Sequence, residues 1–139
     1  MIDIKQIEGG VCASEGFLAN GIYAGIKKNK EKKDLAIIYS KSQCSAAAVY
    51  TQNKACGANI TVSKEHLKDG KAKAVICNSG NANTCNKNGV EIAKEMCKLA
   101  ADALGIDEKE VAVASTGVIG VPLPIEPIEK NIKELIDNA

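Results

Sequence analysis

The most regular pattern of apolar and polar positions lies between residues 89 and 104. There Val90, Ala93, Met96, Cys97, Ala100 and Leu104 recur at three- and four-residue spacing, while Glu91, Lys94, Glu95 and Lys98 fall elsewhere. This period predicts an amphipathic helix with one buried face, closed by Gly105, which can take the left-handed conformation that side chains resist. A second stripe, Ile128, Ile132, Leu135 and Ile136, predicts the last helix, with Pro127 in its first turn, where a missing amide is tolerated. Compact apolar runs rich in branched residues predict strands at 35–39, 73–77 and 111–114. Weaker patterns predict strands at 21–27, 46–51 and 58–62, and 41–44 reads as a short polar turn. Ser63 is read as the cap of a short helix, 64–69, that carries His66 and ends at Gly70. Gly9, Gly10 and Gly16 divide the first twenty residues into an extended lead-in with tight bends.

In this order the elements describe a single α/β domain over 1–139, a mixed sheet with helices packed on it. Two units of strand, polar loop and helix follow one another in the second half, without the fixed period of a repeat protein. A hydrophobic fraction of 45% supports a folded core, and 3% aromatic residues argue against an exposed stacking surface. Eighteen basic against seventeen acidic residues leave a net charge of +1, so no nucleic-acid partner is expected. Lys27, Lys28, Lys30, Lys32 and Lys33, interrupted by Glu31, read as a solvated turn, with contact to an acidic partner as the alternative. No apolar run is long enough to span a membrane, and the start lacks the basic-then-apolar order of an export signal. A cytoplasmic protein is the expectation.

Six cysteines, Cys12, Cys44, Cys56, Cys77, Cys85 and Cys97, contain no Cys-x-x-Cys pair, and there is a single histidine. No metal site is expected from that inventory. Cys77 in a strand and Cys97 on a helix face read as small buried hydrophobes in a reducing compartment.

Both predicted loops leave a buried strand. In the first, Asn78, Ser79, Gly80, Asn81, Ala82 and Asn83 are candidates for a substrate-pocket wall. A positive φ at Gly80 would be the reason for its glycine. In the second, Ser115, Thr116 and Gly117 offer a hydroxyl and a backbone amide, the donor types an oxyanion hole uses. Neither loop has the glycine spacing of a phosphate or dinucleotide loop, which favours an acyl or carboxylate ligand. Short polar residues and glycines also make ordinary turns, so the residues alone leave that reading open. No nucleophile and base can be paired, because His66 is the only imidazole, there is no Gly-x-Ser-x-Gly elbow, and Cys85 is the only cysteine near a candidate loop.

Several stretches occur in a telling order: Gly9-Gly10-Val11, Gly16-Phe17, Ala24-Gly25-Ile26-Lys27-Lys28, Lys33-Asp34-Leu35-Ala36, Ser63-Lys64-Glu65-His66-Leu67, Asn78-Ser79-Gly80-Asn81-Ala82-Asn83 and Val113-Ala114-Ser115-Thr116-Gly117-Val118-Ile119-Gly120. Together they resemble the amino-terminal portion of the bifunctional ornithine acetyltransferase and glutamate N-acetyltransferase family of arginine biosynthesis. The resemblance implies the layered fold of self-processing enzymes with an amino-terminal threonine nucleophile. It implies a precursor that cuts itself into alpha and beta chains, two of each in the assembly, with the nucleophile on the beta chain. The implied reaction moves an acetyl group from N-acetylornithine to glutamate, with no tightly bound cofactor and with acetyl-CoA as a candidate second donor. By the same resemblance Thr116 and Gly117 match the family's oxyanion-stabilising pair, and this chain, lacking the nucleophile, is expected to be inactive alone. Val121 departs from the Arg common there before Pro-Leu-Pro, and Cys12, Cys44 and Cys56 replace apolar or small residues. Two other readings fit the residues: a subunit of a self-processing amidase or aminopeptidase, and a non-catalytic module that binds small anions.

Overall fold

The computed structural model describes residues 4–139; the opening of the expected lead-in, residues 1–3, lies outside the described residues. The branched run that starts at Leu35 forms the long strand β2 (Leu35–Ser45), joined by β1 (Phe17–Ile22), β3 (Lys71–Asn78) and β4 (Val111–Ser115). The strand order is β1-β2-β3-β4. The first two pairings are antiparallel and β3 runs parallel to β4, so the sheet is mixed, as the sequence predicts. A parallel pair needs a crossover, and α2 (Gly89–Leu104) supplies it, ending at Gly105 with φ +67°. The other helices are α1 (Ala58–His66) and α3 (Glu126–Asp137), the latter with proline in its first turn.

Strand alternation assigns the two faces of the sheet. Leu35, Ile37, Ala74, Ile76, Val111 and Val113 point to one side, where they meet Val62 of α1, Met96, Cys97 and Ala100 of α2, and Ile128 and Leu135 of α3. These side chains are fully or almost fully buried, and each large aliphatic one contributes about 1.5–3 kcal/mol by leaving water. On the opposite side, Gly21, Ala36, Cys77 and Ala114 form a row across all four strands. They are half-buried, and no helix of the described residues covers them.

Four expectations change. The first strand lies at Phe17–Ile22 rather than 21–27, because the buried Asp34 carboxylate accepts the Ala24 and Lys27 amides (2.6 and 2.8 Å) and removes that segment from any ladder. β2 runs through the expected turn at 41–44, taking up the polar stretch as an irregularity of register between Tyr39 and Cys44. Residues 46–51 form no strand, and the Ala46 amide instead donates to the Gly70 carbonyl (2.7 Å).

The fourth change is the largest. Residues 58–62 belong to a helix, and Ser63 is inside it rather than at its start. The reason is β4, an edge strand whose outer polar groups need partners. Ser63 Oγ donates to the Val113 carbonyl (2.8 Å) and accepts from the Val113 amide (3.0 Å). One helical turn later, His66 Nδ1 lies 2.8 Å from the Val111 carbonyl and must carry the proton to donate to it. Helix α1 thus seals the edge with two side chains.

Candidate functional site

The site is built where β3 and β4 end. Asn78, the last residue of β3, is 2% exposed. Its Oδ1 accepts the Gly80 and Asn81 amides (3.2 and 3.0 Å), its Nδ2 donates to Ser115 Oγ (2.8 Å), and its carbonyl accepts the Thr116 amide (3.0 Å). Asn81 repeats the device, accepting the Asn83 amide (2.8 Å) and donating to the Val121 carbonyl (2.9 Å), and Asn83 donates to the Gly89 carbonyl (2.7 Å). The Ala82 amide donates to the Val118 carbonyl and the Gly120 amide to the Thr84 carbonyl (both 2.9 Å). Asn78 and Asn81 therefore fasten the 78–83 loop to the 115–121 loop, and Asn83 ties it to the start of α2. A buried side-chain amide that satisfies several backbone groups makes such a junction rigid.

Glycines set how closely the loops approach. Gly117 has φ +132°, and a Cβ there would lie 2.5 Å from the Gly80 carbonyl carbon and 2.7 Å from the Asn81 nitrogen. Gly80 itself does not take positive φ; its glycine is required because a Cβ would meet Ile26 Cγ2 at 2.5 Å. The backbones of Gly117 and Gly80 thus meet without a side chain between them, and the Ile26 side chain packs directly on Gly80. The ladder of β4 stops at the Thr116 amide. Beyond it, Thr116 and Gly117 are exposed, and the Gly117 amide has no partner among the described residues.

Beside these groups a cleft of about 470 Å³ opens on the uncovered sheet face. Gly21, Ala36, Cys77 and Ala114 form its apolar floor, and Ser115, Thr116, Asn78, Ser79 and Lys33 rise around it. Of the residues singled out in the sequence, Asn78, Ser79, Ser115 and Thr116 line the cleft; Gly117 adjoins Thr116, whereas Gly80 and Asn81 stand behind as framework. Burial pushes the Cys77 thiol up, which keeps it protonated and apolar in that floor. His66 serves the edge of β4 and takes no part here. Cys85 is exposed, with φ +61° and no imidazole beside it. All six cysteines are unpaired. Among the described residues no group of three or more His, Cys, Asp or Glu could hold a metal ion, and no helix is long and apolar enough to cross a membrane.

Sequence reasoning missed Asp34 and Lys27. Asp34 shapes the cleft wall by holding residues 24–27, and Lys27 Nζ donates to Ser79 Oγ at 2.7 Å. An acid immediately before a buried strand was the available signal for the first. For the second the basic run read as a solvated turn, with contact to an acidic partner as the alternative, yet Lys27 is half-buried while Lys28, Lys30 and Lys32 are exposed. Chemically, a hydroxyl and an unpaired amide on adjacent residues, next to an apolar floor, are donors suited to a carbonyl oxygen that gains charge.

The model of the ArgJ family matches residues 18–139. The arginine biosynthesis bifunctional protein ArgJ of Gloeobacter violaceus is 48% identical over 141 residues, covering 100% of this chain and 34% of that protein. Its counterpart in Caldanaerobacter subterraneus subsp. tengcongensis is 47% identical over 131 residues, covering 94% and 32%. The chain therefore spans about a third of the length of the curated relatives it matches. Among solved structures, the arginine biosynthesis bifunctional protein ArgJ of Bacillus halodurans superposes with a TM-score of 0.85 at 42% identity, over 91% of this chain and 66% of that one. Ornithine acetyltransferase from Mycobacterium tuberculosis, in complex with ornithine, gives 0.84 at 33% identity, over 90% and 68%. A match across nearly the whole sequence and the same backbone architecture lead to one conclusion: this chain belongs to the ArgJ family.

Proposed function

We propose that this chain supplies the oxyanion-stabilising part of an acetyltransferase of arginine biosynthesis, which moves an acetyl group from N-acetylornithine to glutamate. The single observation that carries the reading is the pair formed by the exposed Thr116 hydroxyl and the unpartnered Gly117 amide, held beside an apolar cleft by a glycine contact no other residue could make. Family membership supplies the reaction class.

The nucleophile is the amino-terminal threonine of a beta chain, whose own amine takes the hydroxyl proton. Attack on the acetyl carbonyl places negative charge on its oxygen, and Thr116 and Gly117 donate to that oxygen. Collapse breaks the amide, the protonated nitrogen leaves as the α-amine of ornithine, and the acetyl group remains as an ester on threonine. Glutamate's amine then attacks the ester through the same oxyanion, giving N-acetylglutamate and restoring the threonine. Acetyl-CoA would enter at the first step as an alternative donor. On this reading the cytoplasmic assembly contains two alpha and two beta chains, and the isolated alpha chain is inactive.

Losing one oxyanion donor typically costs about 3 kcal/mol of transition-state stabilisation, on the order of a hundredfold in rate. In the full-length protein, Thr116→Val should lower turnover by about that factor with little change in substrate affinity. Unchanged turnover would remove Thr116 from the mechanism.

A further inference from the structure

The turn between β1 and β2 carries five lysines, and one of them is held differently from the rest. The Lys27 amide donates to Asp34 Oδ2 (2.8 Å) and its carbonyl accepts from the Tyr23 hydroxyl (3.1 Å). At the far end of the side chain, Nζ donates to Ser79 Oγ (2.7 Å) and to the Lys33 carbonyl (3.4 Å). An exposed lysine is a flexible chain, and ordering it has an entropic cost of up to about 2 kcal/mol. Lys27 is held at its backbone and again at its ammonium.

Its electrostatics are incomplete. An ammonium has three donors, and here two of them meet neutral oxygens while the third has no partner among the described residues. The nearby Asp34 carboxylate bonds the backbone amides of Ala24 and Lys27 rather than the ammonium. Among the described residues the single ion pair is Lys94 with Glu65, on another part of the surface. A held cation without a counter-ion, bonded to a residue that lines the cleft, favours an anion there.

The position suits one particular anion. Ser79, the residue that Nζ grips, lines the same cleft as Thr116. Gly117 lies against Gly80, and Gly80 lies against Ile26, the residue before Lys27. Through Ser79, the ammonium therefore borders the same cleft as the Thr116 hydroxyl. In an N-acyl amino acid the carboxylate is separated from the acyl carbon by only the amide nitrogen and one carbon.

We propose that Lys27 is a specificity-determining residue whose ammonium receives the α-carboxylate of the N-acyl amino acid while the acyl oxygen lies on Thr116 and Gly117. This rests on the reading above for the substrate class and adds the residue that recognises it. Ser79 and Asp34 act as positioning residues for that cation.

The test compares donors with and without the carboxylate, using the full-length protein. For a two-step transfer, kcat/KM for the donor reports only the first half-reaction. Lys27→Met should lower kcat/KM for N-acetylornithine about ten- to a hundredfold, mainly through KM, as expected for loss of a charge-assisted hydrogen bond. For N-acetylputrescine, which has the same chain without the carboxylate, the same substitution should change nothing; if wild type does not turn that compound over, its inhibition constant is compared instead. Lys27→Arg should restore part of the selectivity. Lys28→Met, on the exposed part of the turn, removes the same net charge and should leave both donors unaffected. An equal loss with both compounds would show a purely structural role, or a partner-chain acid on the ammonium, and would overturn the proposal. No loss with either would overturn it as well. Failure of wild type to transfer acetyl from N-acetylornithine to glutamate would instead overturn the proposed function, and that control precedes every variant.

Discussion

Replacing Gly117 with alanine tests the stacked backbones most directly. The added methyl group meets two separate obstacles. At φ +132° a side chain is strained by about 1–3 kcal/mol. The Cβ would also lie 2.5 to 2.7 Å from three backbone atoms of Gly80 and Asn81, none of which can rotate away, and overpacking of this kind costs about 1–3 kcal/mol more. The combined penalty is roughly 2–6 kcal/mol if the loops stay in place. Because Gly117 is exposed, the second loop can instead lift off the first, which would displace the Thr116 hydroxyl and the Gly117 amide. A misplacement of about 1 Å in such a site can cost on the order of a hundredfold in rate. Differential scanning calorimetry and steady-state acetyl transfer on the full-length protein read the two consequences separately. We expect Gly117→Ala to reduce turnover at least as severely as Thr116→Val, with a measurable loss of thermal stability. Gly120→Ala is the internal control: its φ is +75° and a Cβ there meets nothing within 4 Å, so only the left-handed strain of about 1–2 kcal/mol applies. If Gly117→Ala kept both the melting temperature and the turnover of wild type, the close approach of the loops would not be what positions the donors.

Ser63→Ala leaves the Val113 amide and carbonyl buried without partners, which should destabilise the fold by about 2–4 kcal/mol and speed hydrogen exchange at Val113; wild-type exchange there would refute the sealing role. Burial, with a smaller contribution from the Glu108 carboxylate, pushes the Cys97 thiol up to about 12 from an ordinary value of 9.0. The raised value means that stability is fully present below about pH 9 and is lost as pH climbs toward 12, so urea midpoints should fall over that window more steeply than in Cys97→Ala. Consistent with the same burial, alkylation of the native protein near neutral pH should reach the exposed Cys12 and Cys85 and spare Cys97, and early labelling of Cys97 would contradict it.

What could be read from the chain follows from where the relevant partners sit. The α2 helix was legible because its apolar face is a local pattern, repeated over four turns and ended by a glycine. The α1 helix was not, since Ile60, Thr61 and Val62 are branched and favour strands, and the helix is selected by the distant edge of β4 through Ser63 and His66. β1 was displaced for a similar reason, the Asp34 carboxylate removing the amides of Ala24 and Lys27, ten and seven residues away, from the sheet. At the site, the two polar loops were visible as interruptions after buried strands. The asparagine junction, the contact of Gly117 with Gly80 and the anchoring of Lys27 on Ser79 join residues far apart in sequence, and no local pattern encodes them.

The way α1 covers β4 also limits how the molecule can grow. With the outward groups of Val111 and Val113 already answered by an imidazole and a hydroxyl, that border offers no template for an incoming strand, native or foreign. Any larger architecture must extend past β1 or stack upon the exposed face of the sheet, and intermolecular polymerisation through β4 would first require peeling a whole helix away.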